Sequence, residues 1–312
     1  LGYIGSHTSV LLLEKGYDLV IVDDLSNSNE KVIENISKIT SKVPVFEKID
    51  LKNKESVSKL FNNYDFDGII HFAAHKSVNE SVNYPDKYFK NNVGSLENII
   101  YEIQKLKKPM NFIFSSSCTV YGQADSMPIN EGFELKKAES PYGQSKRKCE
   151  EILENFHKTG HNFKNITLRY FNPIGAHPSS LIGELPIGIP ENLVPYITQT
   201  AVGKRDHLTV FGNDYDTNDG TCVRDYIHIM DLAEVHITCL EKLMNIKDNS
   251  FFNVYNVGTG KGTSVLELIN LFENVNQLKL NYKVGKRRDG DVVIAYADTS
   301  KIKNELNWTT KY

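Results

Sequence analysis

The chain has 312 residues, of which 40% are hydrophobic and 24% are charged, and its formal net charge is −3. A chain of this length can bury a sizeable core in two lobes, and its weak negative charge provides neither a basic field for nucleic acid nor a polybasic patch for a membrane. No apolar run reaches the ~20 residues of a membrane-spanning helix, and no signal peptide is visible. The cysteines form no C-x-x-C pair and no metal-ligand spacing. We therefore expect a cytoplasmic protein without a metal site.

The first predicted element is a glycine-containing loop that leads into a helix. Gly2-Tyr3-Ile4-Gly5 resembles the second half of a G-x-x-G-x-x-G loop that binds a dinucleotide. Residues 6 to 15 follow as a helical pattern that Gly16 ends. A strand and a first glycine come before this point in such loops, so we expect both to precede residue 1. An ordinary surface loop is the alternative.

A buried strand is predicted next, over residues 18–22, and it ends at Asp23 and Asp24. These carboxylates follow the loop by about 20 residues, the position at which an acidic side chain binds the adenosine ribose hydroxyls of a dinucleotide. An aspartate at this position repels the 2′-phosphate of NADP. The sequence therefore favours NAD as the cofactor.

Strands and helices then alternate, which predicts an α/β fold with a Rossmann-type doubly wound parallel sheet. The predicted strands are 43–49, 68–73, 111–115 and 166–170, and the predicted helices are 54–61, 96–107 and 142–159. Beyond Asn172-Pro173 the elements become shorter and mixed, and prolines and glycines are frequent from 178 to 195. We expect a dinucleotide-binding domain over 1–173, lacking its first strand, and a smaller mixed α/β substrate domain over 174–312.

A hydroxyl, a phenol and an ammonium are predicted to meet at the carboxyl edge of this sheet. The serines at 115–117 end a buried strand, and Tyr142 and Lys146 lie four residues apart on one face of the next long helix. The same spacing occurs at Tyr101…Lys105 and Tyr282…Lys286, but only Tyr142 follows a strand that ends in serines. Ser117, Tyr142 and Lys146 are therefore the predicted acid–base residues.

Two further segments carry a family resemblance. RYFNPIGAHP at 169–178 and GTCVRDYIH at 220–228, together with the loop and the Tyr142–Lys146 pair, resemble the extended short-chain dehydrogenase/reductase family and, within it, the UDP-glucose (UDP-galactose) 4-epimerases. The similarity runs from residue 1 to at least Trp308. The chain departs from the family pattern in the missing first strand, in stopping shortly after Trp308, and at Ala74-His75, where the family often has glycine and a smaller or apolar residue.

The resemblance implies two sets of contacts, one with NAD and one with a UDP-sugar. The implied cofactor-binding residues are Gly2, Tyr3, Ile4, Gly5, Asp23, Asp24, Leu25, Asn27, Ser28, Asp50, Leu51, Phe72, Ala73, Ala74, Lys76, Asn91, Ser115, Tyr142, Lys146 and Phe171. The implied substrate-binding residues are Ser117, Tyr142, Asn172, Asn192, Leu193, Thr209, Val210, Phe211, Arg224, Arg288, Asp291 and Ala295. Arg224 and Arg288 suit a diphosphate because a guanidinium presents a fork of donors, although a surface ion pair is the alternative for each.

The reaction that the resemblance implies is the reversible 4-epimerisation of UDP-glucose and UDP-galactose with tightly bound NAD. The C–H bond at an unactivated alcohol carbon cannot be deprotonated by a side chain, so a hydride must leave to NAD while a base takes the hydroxyl proton. A tyrosine with a pKa of ~10 is a poor base near neutral pH, and one positive charge ~5 Å away lowers that pKa by roughly two pH units. Lys146 and the nicotinamide charge together would suffice, and Ser117 would hydrogen-bond the reacting oxygen of the 4-keto intermediate.

Three other functions share this fold. A nucleotide-sugar 4,6-dehydratase would be expected to carry an acidic pair after the active-site hydroxyl, where this chain has Cys118 and Thr119. A UDP-glucuronate 4-epimerase or decarboxylase is disfavoured by the segment 172–175 and by the context of Arg224. A non-catalytic NAD-binding sensor usually loses the tyrosine or the lysine. We also expect a homodimer, since family members often pair through the helix of Tyr142 and the preceding long helix.

The residue at position 295 bears on the range of sugars. In the family, the fourth residue after the aspartate equivalent to Asp291 lies beside the C2 substituent of the sugar, and a tyrosine there is typical of enzymes restricted to glucose and galactose. Counting places Ala295 at this gate, with Tyr296 as the alternative if the alignment shifts by one residue. Alanine leaves room for an acetamido group without overpacking. The sequence therefore predicts interconversion of UDP-N-acetylglucosamine and UDP-N-acetylgalactosamine as well.

Overall fold

The computed structural model describes residues 1–288 and 291–312 and shows an α/β protein. Its strands are β1 (Val20–Asp23), β2 (Val45–Lys48), β3 (Gly68–His71), β4 (Met110–Ser117), β5 (Phe163–Tyr170), β6 (Asn172–Ile174), β7 (Leu208–Phe211), β8 (Val223–Arg224), β9 (Tyr226–His228), β10 (Phe251–Val257), β11 (Thr263–Ser264), β12 (Tyr282–Gly285) and β13 (Ile294–Ala295). Its helices are α1 (Tyr3–Glu14), α2 (Lys31–Thr40), α3 (Lys54–Asn63), α4 (Val78–Asn83), α5 (Pro85–Tyr88), α6 (Gly94–Ile103), α7 (Pro141–Lys158), α8 (Leu193–Ala201), α9 (Ile229–Asn245), α10 (Val265–Asn276) and α11 (Ser300–Leu306).

The central sheet is parallel and has the strand order β10-β5-β4-β3, and β1 and β2 form a separate parallel pair. Alternate residues of β4 face opposite sides, as the period of two in a strand requires. Ile113 packs in the core under α1 and α9, whereas Phe112 and Phe114 pack in the core under α3, α6 and α7. Helices therefore cover both faces, and the predicted doubly wound architecture is confirmed.

The lobe boundary predicted at residue 173 does not match the sheet. β10 lies in register beside β5, so a strand from the second half of the chain completes the first sheet. Helix α9 packs in the same core as α1. The remaining strands after residue 173 form small sheets, β7 with β12, β6 with β9, and β8 between β11 and β13. The predicted substrate side is thus confined to segments 172–228 and 263–297, with α9 and β10 belonging to the central layer.

Several element ends differ from the sequence prediction for local reasons. Helix α1 begins at Tyr3 rather than at residue 6, because Gly2 takes the extended cap conformation and the Ser6 hydroxyl bonds back to the Tyr3 carbonyl within the first turn. Strand β4 continues to Ser117, since its pairing with β5 extends to Tyr170. None of the helices in the described residues is long and apolar enough to cross a membrane.

Candidate active site

A cavity of about 2280 Å³ runs along the lengths of β1 and β3 and reaches the carboxyl ends of the parallel strands. It extends from the start of α1 and the end of β1, past the ends of β3 and β4, to the small sheets of the substrate side. All the predicted site residues line it except Leu25 and Val210. Their side chains pack in hydrophobic clusters instead, Leu25 beside α1 and α2 and Val210 under α8 and α10.

The predicted acid–base residues are brought together by β4 and α7. Ser140 caps α7 by accepting a hydrogen bond from the Gly143 amide (3.1 Å), and Pro141 occupies the first turn, where its missing N–H is not needed. Tyr142 and Lys146 then lie one turn apart, and the Lys146 ammonium donates to the Ser115 carbonyl (2.6 Å). The cavity is lined by Ser117, Tyr142 and Lys146 together. The geometry thus places a phenol, an ammonium and a hydroxyl at one strand end.

Burial sets the proton affinities of this pair. It raises the pKa of Tyr142 to about 12, although a hydrogen bond with the Ser117 hydroxyl opposes the rise. It lowers the pKa of Lys146 from 10.5 to about 8, although the neighbouring Cys149 and Glu150 side chains oppose the fall. Lys146 therefore remains largely protonated at neutral pH, while Tyr142 needs further positive charge beside it to act as a base.

One hydroxyl of this group was not predicted from the sequence. Thr119 lines the cavity, and its hydroxyl donates to the Ser117 oxygen (3.0 Å), which fixes the position of that oxygen. Cys118, Glu139 and Tyr226 also line the cavity and were not predicted. Thr119 and Tyr226 each lie within two residues of a predicted site residue, Ser117 and Arg224. The strand-end rule could therefore have found both.

The other end of the cavity has the features of a nucleotide site. The first turn of α1 carries no acidic side chain and no side-chain cap, so its amide groups and the positive end of its dipole can receive a phosphate. The Asp23 carboxylate at the end of β1 accepts hydrogen bonds from the Ser28 hydroxyl (2.7 Å) and the Leu25 amide (2.8 Å). These bonds orient the carboxylate beside the cavity. Asp50 follows the neighbouring strand β2 and lines the same region.

Glu184 links the predicted cofactor side to the predicted substrate side. Its carboxylate Oε1 pairs with the Lys76 ammonium (2.9 Å) and accepts from the Asn192 amide (2.5 Å). Lys76 follows β3, and Asn192 precedes α8. No local pattern predicts this contact, because Lys76 and Glu184 are separated by 108 positions.

Two arginines converge on one carboxylate at the substrate side. Arg288 binds Asp291 through Nε and Nη2, both at 3.0 Å, and Arg224 Nη2 lies 3.6 Å from Asp291 Oδ1. All three residues line the cavity. The intervening residues of the predicted motif, 289 and 290, lie outside the described residues. The arrangement brings two guanidinium groups together around one carboxylate at the cavity wall, a geometry suited to an anionic group.

The predicted gate residue Ala295 lines the cavity, and Tyr296 does not. Ala295 pairs with Arg224 across β13 and β8. The Tyr296 ring instead lies beside Gly262, where its Cδ1 atom would be 3.2 Å from a Cβ atom added to the glycine. The buried Asp225 carboxylate fixes this region, since it accepts from the amides of Thr259 (2.7 Å) and Ala297 (3.1 Å). The pleat of β13 thus places Ala295, and not Tyr296, at the cavity wall.

Fold and site together define a nucleotide-binding oxidoreductase-type enzyme with a tyrosine–lysine acid–base pair. The strand-end Ser117, the helix positions of Tyr142 and Lys146, and the anion-binding start of α1 are the defining features. The arginine pair beside them adds a place for an anionic substrate.

Comparison with known proteins identifies the family. A family model described as GDP-mannose 4,6 dehydratase matches residues 1–312. UDP-glucose 4-epimerase of Bacillus subtilis is 47% identical over 310 residues, which are 99% of this chain and 90% of the relative. A crystal structure of UDP-glucose 4-epimerase from Bifidobacterium longum in complex with NAD⁺ and UDP is 42% identical, with a TM-score of 0.94 over 100% of this chain and 91% of that chain. The UDP-Glc/GlcNAc 4-epimerase of Campylobacter jejuni is 36% identical, with a TM-score of 0.83 over 100% of this chain and 92% of that chain. The chain belongs to the UDP-glucose 4-epimerases of the extended short-chain dehydrogenase/reductase family.

Proposed function

We propose that this chain catalyses the reversible 4-epimerisation of UDP-glucose and UDP-galactose with NAD held as a permanent cofactor. The observation that carries the proposal is the meeting of Ser117, Tyr142 and Lys146 in one cavity with the Arg224–Arg288 pair. Acid–base groups at one end and a diphosphate-binding pair at the other match a nucleotide sugar in both chemistry and charge.

The residues of the chain fit NAD. The uncapped start of α1 suits its pyrophosphate, and the oriented Asp23 carboxylate suits an unphosphorylated ribose. When bound, NAD supplies the acceptor and later the donor of the hydride at C4 of the sugar, together with a positive charge beside Tyr142. That charge is what the raised pKa of Tyr142 requires.

The chain's own groups carry the proton. Tyr142 acts as the phenolate, which the protonated Lys146 stabilises. It takes the proton of the C4 hydroxyl, remains a neutral phenol while the sugar is a ketone, and then returns the proton. Ser117, held by Thr119, donates a hydrogen bond to the reacting oxygen. Arg224 and Arg288 hold the diphosphate while the 4-keto sugar turns to present its other face. Net redox change is zero, so the cofactor need not leave.

Incubation of the purified protein with UDP-galactose, followed by separation of the products, tests this proposal. UDP-glucose should form without added nucleotide. A 4-keto-6-deoxy product would instead indicate a 4,6-dehydratase, the activity described by the matching family model. Cys118 and Thr119 follow Ser117 at the site and supply no carboxylate for such an elimination. Absence of any turnover from protein that carries NAD would indicate a sensor.

The range of sugars is inferred to include the N-acetylated pair. Ala295 is small and faces the cavity, and Tyr296 packs beside Gly262. The relative from Campylobacter jejuni, a UDP-Glc/GlcNAc 4-epimerase, supports this breadth.

A homodimer in the cytoplasm is inferred as well. Cys149, Leu153 and Phe156 of α7 pack in the core against the sheet, so this pattern is explained without a partner, and the dimer rests on the family resemblance alone. Analytical ultracentrifugation tests it. The four free thiols, three of them buried, are compatible with a reducing compartment.

A further inference from the structure

A row of polar side chains crosses the parallel sheet directly behind the active site. Ser116 of β4, Arg169 of β5 and Asn256 of β10 are paired in register, and all three are buried. The next row along these strands contains Ser117 and Tyr170, which line the cavity. The polar row therefore lies one residue behind the acid–base site, and only its Ser116 also lines the cavity.

Glu150 of α7 connects this row to the helix that carries Tyr142 and Lys146. Its Oε1 accepts the Ser116 hydroxyl (2.5 Å) and Arg169 Nε (3.1 Å), and its Oε2 accepts Arg169 Nη2 (2.6 Å). The remaining arm, Arg169 Nη1, donates to the Tyr121 hydroxyl (2.9 Å), which donates to Asn256 Oδ1 (2.7 Å). We call these five residues the Glu150 network.

The network fixes the register between α7 and β4. Tyr142, Lys146 and Glu150 follow one another at intervals of four, so they share one face of α7. Lys146 binds the Ser115 carbonyl and Glu150 binds the Ser116 hydroxyl, so two successive turns of the helix are attached to two successive residues of the strand. Ser117 is the following strand residue. Rotation or sliding of α7 would break both attachments before it could move Tyr142 relative to Ser117.

Stability alone does not account for the ion pair. Desolvation of two buried charges offsets much of their attraction, and apolar side chains of similar volume are often as stable at such a position. The bidentate fork, by contrast, fixes direction as well as distance. Misplacement by about 1 Å at a reacting centre can reduce a rate by 10²-fold. A directional contact at this place is therefore suited to alignment.

We propose that Glu150 and Arg169 are positioning residues, which hold Tyr142 and Lys146 in register with Ser117. They touch neither the cavity nor its contents. The kinetic readout of this proposal rests on the proposed epimerase function, whereas its structural readout does not.

The test replaces the pair by an apolar pair, Glu150→Met with Arg169→Met, in the complete protein. We expect the double variant to melt within a few degrees of wild type, its kcat for UDP-galactose to fall at least tenfold, and its KM to stay within about twofold, because Arg224 and Arg288 lie on other elements. The control is Asn165→Leu, at a buried polar residue on the same strand as Arg169 whose side chain hydrogen-bonds only to Thr167 among the described residues. Its kcat should remain at the wild-type value.

A native melting temperature with wild-type kcat in the double variant would overturn the proposal, as would a rise in KM that matches the fall in kcat. If the double variant does not fold, Ser116→Ala decides, since it removes only one attachment. A three- to tenfold lower kcat at unchanged KM supports positioning, and unchanged kcat overturns it.

A crystal structure of the folded variant gives the answer without turnover. We expect α7 to be displaced so that Lys146 no longer donates to the Ser115 carbonyl, and an unmoved helix would overturn the proposal. A wild-type protein without epimerase activity would contradict the proposed function, but it would leave this structural readout intact.

Discussion

The Lys146 ammonium donates to the backbone carbonyl of Ser115 at 2.6 Å, two residues before Ser117. This bond places a buried positive charge at the strand end and leaves Tyr142, one turn earlier on α7, beside the Ser117 hydroxyl. The contact explains how a lysine can remain in an interior that lowers its pKa to about 8. The charge is held where the phenolate of Tyr142 would need it.

Tyr142→Phe and Lys146→Met should each lower kcat by roughly 10²- to 10⁴-fold, the range of general acid–base catalysis, because phenolate and ammonium act as one unit. UDP binding measured by calorimetry should be unchanged. Tyr101→Phe is a matched control, since Tyr101 and Lys105 have the same spacing but form a surface cation–π contact (4.1 Å). A Tyr142→Phe enzyme with near wild-type kcat would remove Tyr142 from the role of base.

Lys146→Met should also change how stability depends on pH. Burial lowers the pKa of Lys146 from 10.5 to about 8, which corresponds to roughly 3 kcal/mol of unfavourable free energy while the folded protein keeps the proton. Between pH 8 and 10.5 the unfolded chain binds the proton and the folded chain does not, so the wild type gains stability as pH rises.

The nucleotide-free Lys146→Met variant should therefore melt above nucleotide-free wild type at pH 7, with the difference shrinking from pH 8 to 10.5. Both proteins must be free of NAD, because a bound ligand stabilises the folded state. A difference in melting temperature that stays constant over this range would show that Lys146 keeps an ordinary pKa.

The features that the sequence predicted are those with local signals. The apolar run of β4, the interval of four between Tyr142 and Lys146 and the strand-end position of Asp23 are all visible in short windows. The Glu150–Arg169 pair joins residues 19 positions apart on different elements, and Glu184 meets Lys76 across 108 positions. Neither contact has a periodicity, so neither could be predicted. The pairing of β10 with β5 in the central sheet likewise depends on tertiary packing, and the sequence near residue 173 contains no signal that predicts it.

Purified protein should carry NAD in near-equimolar amount and need none added for turnover. The redox-neutral cycle requires no exchange, and the Asp23 carboxylate, oriented by Ser28, repels a 2′-phosphate. Denaturation followed by enzymatic assay of the supernatant measures the released nucleotide. Recovery of NADP, or strict dependence on added NAD, would contradict both parts of this expectation.

Arg288→Met should weaken UDP binding by about 1.5–3 kcal/mol, or roughly 10- to 100-fold, the contribution of hydrogen bonds to charged groups. The adjacent Arg287 provides the control, because it pairs with Asp214 on the surface and does not line the cavity. Arg287→Met should change the dissociation constant less than twofold by calorimetry. Equal effects of the two substitutions would indicate a general charge effect rather than a diphosphate contact.

Ala295→Tyr should separate the two substrate classes. Ala295 faces the cavity and is paired with Arg224, so a phenol ring in its place would fill the space that an acetamido group needs. Overpacking of this kind costs about 1–3 kcal/mol, which predicts a kcat/KM for UDP-N-acetylgalactosamine reduced roughly 10- to 100-fold. The value for UDP-galactose should stay within about threefold.

Tyr296→Phe is the matched control for the gate, because the Tyr296 ring lies beside Gly262 and does not line the cavity. This substitution removes one hydroxyl and should leave kcat/KM for both substrates unchanged. Both values should be measured with the same coupled assay for each variant. Wild-type protein that converts UDP-galactose but not UDP-N-acetylgalactosamine would show that Ala295 does not set the substrate range. A Tyr296→Phe variant with altered selectivity would move the gate to the neighbouring residue, against the pleat that points Ala295 into the site.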